Sequence, residues 1–204
     1  MQRRPSLVPD LYHIKRTTTN TSTSPPSLHT EICGTYTSLS SAQTAGLRRL
    51  QDEGYSRSSF TEYSENDPNS THSWPYGEDV LVYARRDNEI YEVKVELTPN
   101  TLGVRSRPGE GRVEESLFYV VQTNENKDGT VKETEIKGIH LSRQAAVHAA
   151  MHELLSHDVK RDWYKEYEEV GGGLHDEEDG GEQVVVRATG PEGEKYIVSV
   201  MHES

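Results

Sequence analysis

Two histidines have the spacing that best suits a metal ion in this sequence. His148 and His152 lie four residues apart in the stretch His-Ala-Ala-Met-His, inside a segment that predicts a helix. Residues four apart share one helix face, so both imidazoles can reach one ion. The glutamate that follows the first histidine in zinc proteases is missing, and both rings fall opposite the apolar stripe of the helix. We therefore expect a solvated face and predict no metal, with this pair as the candidate ligands if one binds.

The stretch from Glu166 to Glu182 is the densest run of charge and contains eight carboxylates without a lysine or arginine. A calcium loop would need acidic ligands at fixed intervals. Counting from Asp176 places Gly180 and Arg187 at ligand positions. We therefore predict an acidic, solvated loop here.

Cys33 is the only cysteine, so the chain cannot form an internal disulfide. It could act as a nucleophile with His29 or His13 as the base. Its counterpart in the second half of the chain is Lys137, which favours an outward-facing strand position. Neighbouring carboxylates also work against a lowered thiol pKa, so no catalytic residue is predicted.

A series of aromatic residues at helical spacing predicts core packing rather than a ligand pocket. The second half carries Trp163, Tyr164 and Tyr167, and the first half carries Phe60 and Tyr63. We expect the shared tyrosine to be a core residue whose hydroxyl finds a partner at the rim. The glycines that follow, at 171–173, neither follow a strand nor open a helix and so do not predict a phosphate loop.

These residues sit in a sequence that repeats itself. Thr30–Asn88 aligns without a gap on residues 134–192, and 17 of the 59 positions are identical. Thr-Glu-Ile-x-Gly, Glu-Tyr-x-Glu and Gly-Glu-x-Val all recur in register, which favours an internal duplication. The repeat-shared scaffold residues include Ile32, Gly34, Tyr63, Ile136, Gly138 and Tyr167.

Each half predicts the order β-β-α-(α)-β-β, from alternating strands around an amphipathic helix, which Ser38 or Ser40 caps in the first half and Ser142 in the second. The additional helix is expected at Tyr55–Tyr63 in the first half and over 159–170 in the second. The fold class is therefore α+β, with antiparallel sheets each covered by helices and the halves related by a pseudo-two-fold. The predicted boundaries are a flexible tail at 1–10, repeats at 11–97 and 113–201, a linker at 98–112, and a tail at 202–204.

Composition limits the partners. The net charge of −12 argues against nucleic acid, because phosphate binding depends on lysine and arginine. No signal peptide or long apolar span is visible, so we predict a soluble intracellular protein, cytoplasmic or nuclear, without membrane contact. No motif indicates a cofactor.

The segments Leu-Tyr-His-Ile-Lys-Arg-Thr, Glu-Ile-Cys-Gly-Thr-Tyr and Tyr-Gly-Glu-Asp-Val carry a resemblance to small proteins of filamentous fungi with two tandem hairpin-helix repeats. Gly138-Ile139-His140-Leu141-Ser142 also resembles the entry into the helix of a small hairpin-helix module. The resemblance implies the duplicated scaffold and no activity.

The leading functional hypothesis is a non-enzymatic binding or regulatory protein that contacts another protein or a second copy of itself. Open sheet edges, which can accept a partner strand, motivate it. The alternative is a small-ligand binder or enzyme with its site in a cleft between the repeats.

Overall fold

The computed structural model describes residues 10–66, 73–107, 109–170 and 181–203. Parts of the sequence prediction fall outside these ranges. They are the N-terminal tail before Asp10, the stretch 171–180 of the acidic loop, Pro108 of the linker and Ser204 of the C-terminal tail.

Both halves follow the same order of elements along the described residues. The first half contains β1 Leu11–Asn20, β2 Ser27–Tyr36, α1 Leu39–Asp52, β3 Glu62–Glu65, β4 Val80–Arg86 and β5 Glu89–Thr98. The second half contains β6 Phe118–Glu125, β7 Val131–His140, α2 Arg143–Ala150, β8 Glu166–Glu169, β9 Gln183–Thr189 and β10 Lys195–His202.

The strands form two five-stranded sheets with identical topology. Their orders are β2-β1-β5-β4-β3 and β7-β6-β10-β9-β8. The pairs β3–β4, β4–β5, β6–β7, β6–β10, β8–β9 and β9–β10 are antiparallel. The predicted α+β class with two similar halves is confirmed.

A serine caps each helix. The Ser38 side chain accepts from the Ser41 amide and that of Ser142 from the Ala145 amide, so each satisfies a helix donor that has no partner within the helix. One face of α1 buries Ala42, Gly46 and Leu50, and one face of α2 buries Ala146, Val147 and Ala150. Among the described residues, no helix is long and apolar enough to cross a membrane.

The second helix predicted in each half is wrong. Where Tyr55–Tyr63 was expected to be helical, the chain forms a 3₁₀ turn at Arg57–Ser59 and then β3. In the second half a 3₁₀ turn at Arg161–Trp163 leads into β8. The aromatic residues mimic helical spacing, but they converge because a turn and a strand bring them together. Tertiary packing overrides the local pattern.

The sheets repeat an irregularity as well as their order. Pairing skips Leu81 between Val80 and Val82 in β4. The same register shift recurs in β9, where the pairing passes over Val185. A β-bulge thus occurs at the equivalent position in both halves and belongs to the fold that they share. Such a bulge bends the strand and redirects one side chain.

The two scaffold glycines, Gly34 and Gly138, lie in β2 and β7, the strands that precede the two helices. In β7 the pairing with β6 skips Lys137, between Ile136 and Gly138. In β2, Gly34 has φ +157°, and a Cβ there would lie 3.0 Å from the Tyr36 ring. Glycine is needed at that position because the ring covers the backbone.

Contacts between Cα atoms divide the described residues into two compact units. Residues 10–19 with 32–115 form the first unit, and residues 20–31 with 116–203 form the second. The predicted repeat boundaries at 97 and 113 stay predictions.

Candidate functional sites

Each half carries the same three-residue cluster, formed by an arginine of the 3₁₀ turn and two residues of the outer strand. Arg57 donates to the Glu65 carboxylate, and its guanidinium carbon lies 5.1 Å from the centre of the Tyr63 ring. The second half repeats this with Arg161, Glu169 and Tyr167, at 5.3 Å. The recurring Glu-Tyr-x-Glu motif is therefore a structural clamp. Sequence reasoning missed the arginine, although it is identical in both halves at the 104-residue offset.

Tyrosine hydroxyls close the end of α2. Tyr164 donates to the Leu154 carbonyl at 2.8 Å and Tyr167 donates to the Met151 carbonyl at 3.2 Å. These carbonyls follow the last helical residue, where backbone acceptors lack helical partners. Burial, then the neighbouring Tyr196 and Tyr167 hydroxyls, raise the pKa of Tyr164 to about 12. Both tyrosines therefore pack through their rings and hydrogen-bond through their hydroxyls, which is the arrangement expected for Tyr167.

Trp163 differs from the rest of the aromatic series because it is exposed. Its side chain remains 43% accessible, so the prediction that it belongs to the core is wrong. It lies in the 3₁₀ turn and packs edge-on against Tyr164, with ring centres 4.8 Å apart. The equivalent residue of the first half is Ser59. An exposed, supported indole is thus specific to the second unit.

His148 and His152 lie on one exposed face of α2 and of the turn that follows it. Their ring centres are 4.8 Å apart with planes at 47°. The Nδ1–H of His152 donates to the His148 carbonyl oxygen at 2.8 Å. The structure thus brings together the two histidines that the sequence singled out.

The equivalent face of α1 borders an open groove of about 410 Å³. It is lined by hydroxyl groups, small side chains and charges: Tyr36, Ser40, Ser41, Thr44, Ala45, Arg48, Asp52 and Glu110. Thr44 and Arg48 occupy the positions that correspond to His148 and His152. The helix face that carries the histidine pair in the second unit therefore borders a hydroxyl-rich groove in the first.

His13 is a fully buried histidine that sequence reasoning considered only as a base for Cys33. Its Nδ1 is 2.8 Å from the Thr35 hydroxyl and its Nε2 is 2.7 Å from the Thr98 hydroxyl. Burial, and then the charge of Lys15, lower its pKa from 6.5 to about 4. Because its two nitrogens contact threonines of β2 and β5, His13 links three neighbouring strands of the first sheet. A lone histidine in a strand gives no signal of this role.

The second unit places another buried polar ring at the matching position. Tyr119, which aligns with His13, is fully buried, and its hydroxyl lies 3.5 Å from a carboxylate oxygen of Glu203. Both halves therefore keep a hydrogen-bonding ring in the first strand, although the residue type differs. A preserved position with changed chemistry indicates a packing role.

Cys33 is buried, so the prediction of an outward-facing side chain is wrong. It packs in the core cluster with Ile14 and Leu50, whereas its counterpart Lys137 is exposed. Its sulfur lies within 4.8 Å of a carboxylate oxygen of Glu53. That carboxylate already binds Arg16 and Arg49. The two guanidinium groups balance the charge of this carboxylate, so it does not need a metal cation to do so.

We predict that the Cys33 thiol reacts with iodoacetamide only when the protein unfolds. At 4% exposure the reagent cannot reach the sulfur, and access limits cysteine reactivity. The rate is measured by mass spectrometry in buffer and in denaturant. Alkylation in buffer at the rate of a free cysteine would contradict this burial.

A cavity of about 190 Å³ lies within the second unit. Apolar and hydroxyl or carboxyl side chains share its wall: Leu28, Thr30, Val121, Thr123, Glu125, Val131, Thr134, Glu182, Val184, Ile197 and Met201. Its volume lies below the range of roughly 300–1,000 Å³ usual for ligand pockets. Water or a very small molecule fits its size better than a cofactor does.

No protein-family profile, no curated protein and no solved structure matches the chain. The site residues are therefore interpreted from their own geometry. What distinguishes the halves is the exposed Trp163, the histidine pair and the hydroxyl-rich groove.

Proposed function

We propose that this is a non-enzymatic binding protein that contacts a partner protein through the surface formed by Trp163 and strand β8. The observation that carries the proposal is the exposed indole in the 3₁₀ turn that leads into β8, the outermost strand of the second sheet. The clamp and the core aromatic residues are shared by both halves, but this indole is not. A scaffold that is duplicated and then diverges at one exposed aromatic residue is suited to recognition.

The indole is held in a rigid setting. The Trp163 amide donates to the Lys160 carbonyl at 3.0 Å, which fixes the 3₁₀ turn. Its ring rests on Tyr164, whose own hydroxyl is bound to the Leu154 carbonyl. An anchor that is already ordered loses little conformational entropy on binding. Tryptophan residues of this kind dominate the energetics of many interfaces.

Strand β8 offers a backbone for pairing beside that anchor. It is the last strand in the order of its sheet, so among the described residues one of its edges has no strand neighbour. Such an edge can accept an extended segment of another chain. Glu166 and Glu168 are exposed along it, which limits uncontrolled self-association. The occupant we propose is an extended segment of a different protein.

The net charge of the whole chain indicates the sign of the charge that we expect on the partner. Lys165 directly precedes β8 and Arg161 is paired with Glu169, so the edge itself is of mixed charge. The chain as a whole carries −12. A basic partner is drawn toward such a field, and its association rate falls as salt screens the attraction.

The test is site-specific photo-crosslinking in cells that make the protein. A photoreactive residue placed at Trp163 should give one dominant adduct, and the same residue at the equivalent Ser59 should not. With the captured partner purified, Trp163→Ala should weaken binding by about 30-fold, which corresponds to a hot spot of about 2 kcal/mol.

Leu97→Ala serves as the control, because Leu97 is an exposed apolar residue of the first unit, at 56%. It should leave the affinity unchanged. Equal adducts at both photoreactive positions, no adduct from Trp163, or an equal loss of affinity in the two alanine variants would refute the proposal.

A further inference from the structure

We infer that His148 and His152 form a binding site for one divalent first-row transition metal ion, of the class Cu²⁺, Ni²⁺ or Zn²⁺, on the surface of the second unit. The inference does not depend on the proposed protein contact. It rests on the spacing of the rings, on the tautomer that the structure imposes, and on the exposure of both side chains.

The ring separation matches two imidazoles that share one ion. A metal lies about 2.1 Å from its imidazole nitrogen, and hence about 3.2 Å from the ring centre. Two rings at adjacent positions of a tetrahedral or square-planar ion then have centres about 4.5–5.2 Å apart. The observed separation is 4.8 Å.

A hydrogen bond fixes which nitrogen of His152 is available. The His148 carbonyl oxygen can only accept, so the Nδ1 of His152 at 2.8 Å must carry the proton. The neutral ring then presents the Nε2 lone pair as a ligand. A backbone carbonyl that holds the second nitrogen in this way is the usual outer-shell support of a metal-binding histidine.

The metal class follows from the donors and their exposure. Two neutral imidazoles suit copper, nickel and zinc, whereas calcium and magnesium require oxygen ligands. Both histidines are exposed, so water can complete the coordination. With two protein ligands the site is an open surface site and not a closed structural zinc site, which has four.

The first repeat provides the matched comparison. Thr44 and Arg48 occupy the equivalent exposed positions of α1. They lie within α1, which is capped by a serine as α2 is and is longer than α2. Substituting histidine at both positions should therefore build a second site with known geometry.

The experiment is isothermal titration of the full chain with NiCl₂, repeated with CuCl₂ and ZnCl₂. We expect one ion per chain. His148→Gln and His152→Gln should each weaken binding by about 100-fold, because the chelate effect of two tethered ligands is lost. His157→Gln removes a nearby exposed single histidine and should change nothing. Thr44→His with Arg48→His should raise the stoichiometry to two.

Each result decides the inference. Loss of the ion in both single variants, with retention in His157→Gln, supports the site. If the native chain binds no ion while the Thr44→His/Arg48→His chain binds one, the assay is competent and the native site does not exist. Unchanged binding in either single variant also overturns the inference, since two rings would not then share the ion. Circular dichroism confirms that these surface variants stay folded.

Discussion

Lowering the pH from 7 to 5 should reduce the free energy of unfolding of the native chain by about 2 kcal/mol more than that of the His13→Gln variant. The cause is the buried imidazole that bridges Thr35 and Thr98. Its pKa lies at about 4 in the folded chain, against an ordinary value of 6.5.

The direction follows from proton binding in the two states. In the unfolded chain His13 takes up a proton as the pH falls through 6.5, but the folded chain does not until about 4. Between these values the unfolded state holds more protons, so stability falls as the pH falls. The stability linked to neutral His13 is thus fully present above pH 6.5 and is lost toward pH 4. Lys15, paired with Glu96 at 2.5 Å, reinforces the effect because it disfavours a second positive charge.

Urea unfolding curves at half-unit pH steps measure the effect. Glutamine keeps one donor and one acceptor but cannot titrate, so both threonines retain a possible partner. Carboxylates titrate mainly below pH 5, and the comparison above that value isolates the histidine. Equal pH slopes for the native chain and the variant would show that His13 is not held neutral by its surroundings.

The second large effect is expected at the contact between α1 and the bulge of β4. Gly46→Ala should destabilise the protein by about 1–2 kcal/mol, although alanine favours a helix by about 1 kcal/mol over glycine. A Cβ at Gly46 would lie 2.6 Å from Leu81 Cδ1, closer than any normal contact, and 3.7 Å from Val93 Cγ1. Leu81 is itself buried in the core cluster, so its methyl group can shift only against packed neighbours.

The second half shows how the strain can be relieved. At the equivalent positions it has Ala150 on the helix and Val185 at the bulge, both buried in one cluster. The larger helix residue is thus matched by a smaller bulge residue. Leu81→Val added to Gly46→Ala should therefore recover the lost free energy of unfolding and keep the gain in helix propensity. We expect a coupling energy of about 2 kcal/mol between the two substitutions.

A double-mutant cycle from denaturant unfolding measures that coupling. The reverse exchange, Ala150→Gly with Val185→Leu, is the matched control in the second unit and should show coupling of the same sign. If Gly46→Ala is as stable as the native chain, or if the two substitutions are additive, size matching across this contact is not the cause of the difference between the halves.

Most of the scaffold could be predicted from the sequence because short-range patterns of residue type specify its strands and helices. Alternation marked the strands, Ser142 and either Ser38 or Ser40 marked the helix starts, and the in-register identities showed the duplication. The prediction failed at the second helices because aromatic residues at helical spacing are also produced by a turn followed by a strand. Periodicity reports which residues share a face and does not report how the backbone brings them there.

The candidate sites divide in the same way. The histidine pair was visible because its spacing is local, but the tautomer that leaves Nε2 of His152 available depends on a backbone carbonyl. The exposure of Trp163 and the burial of Cys33 were both predicted in the opposite sense. Neither depends on the residue itself, since burial is set by what other parts of the chain place over it.

By itself the sequence determined a duplicated α+β scaffold, the start of each helix, and the positions at which the halves differ in chemistry. Only the tertiary structure decided which of those differences reach solvent. Sheet order, the bulge under Gly46 and the bonds of His13 join residues far apart in sequence, such as His13 and Thr98. Local propensities act over a few neighbouring residues, whereas burial and charge act through space, so a one-dimensional pattern records the first and not the second.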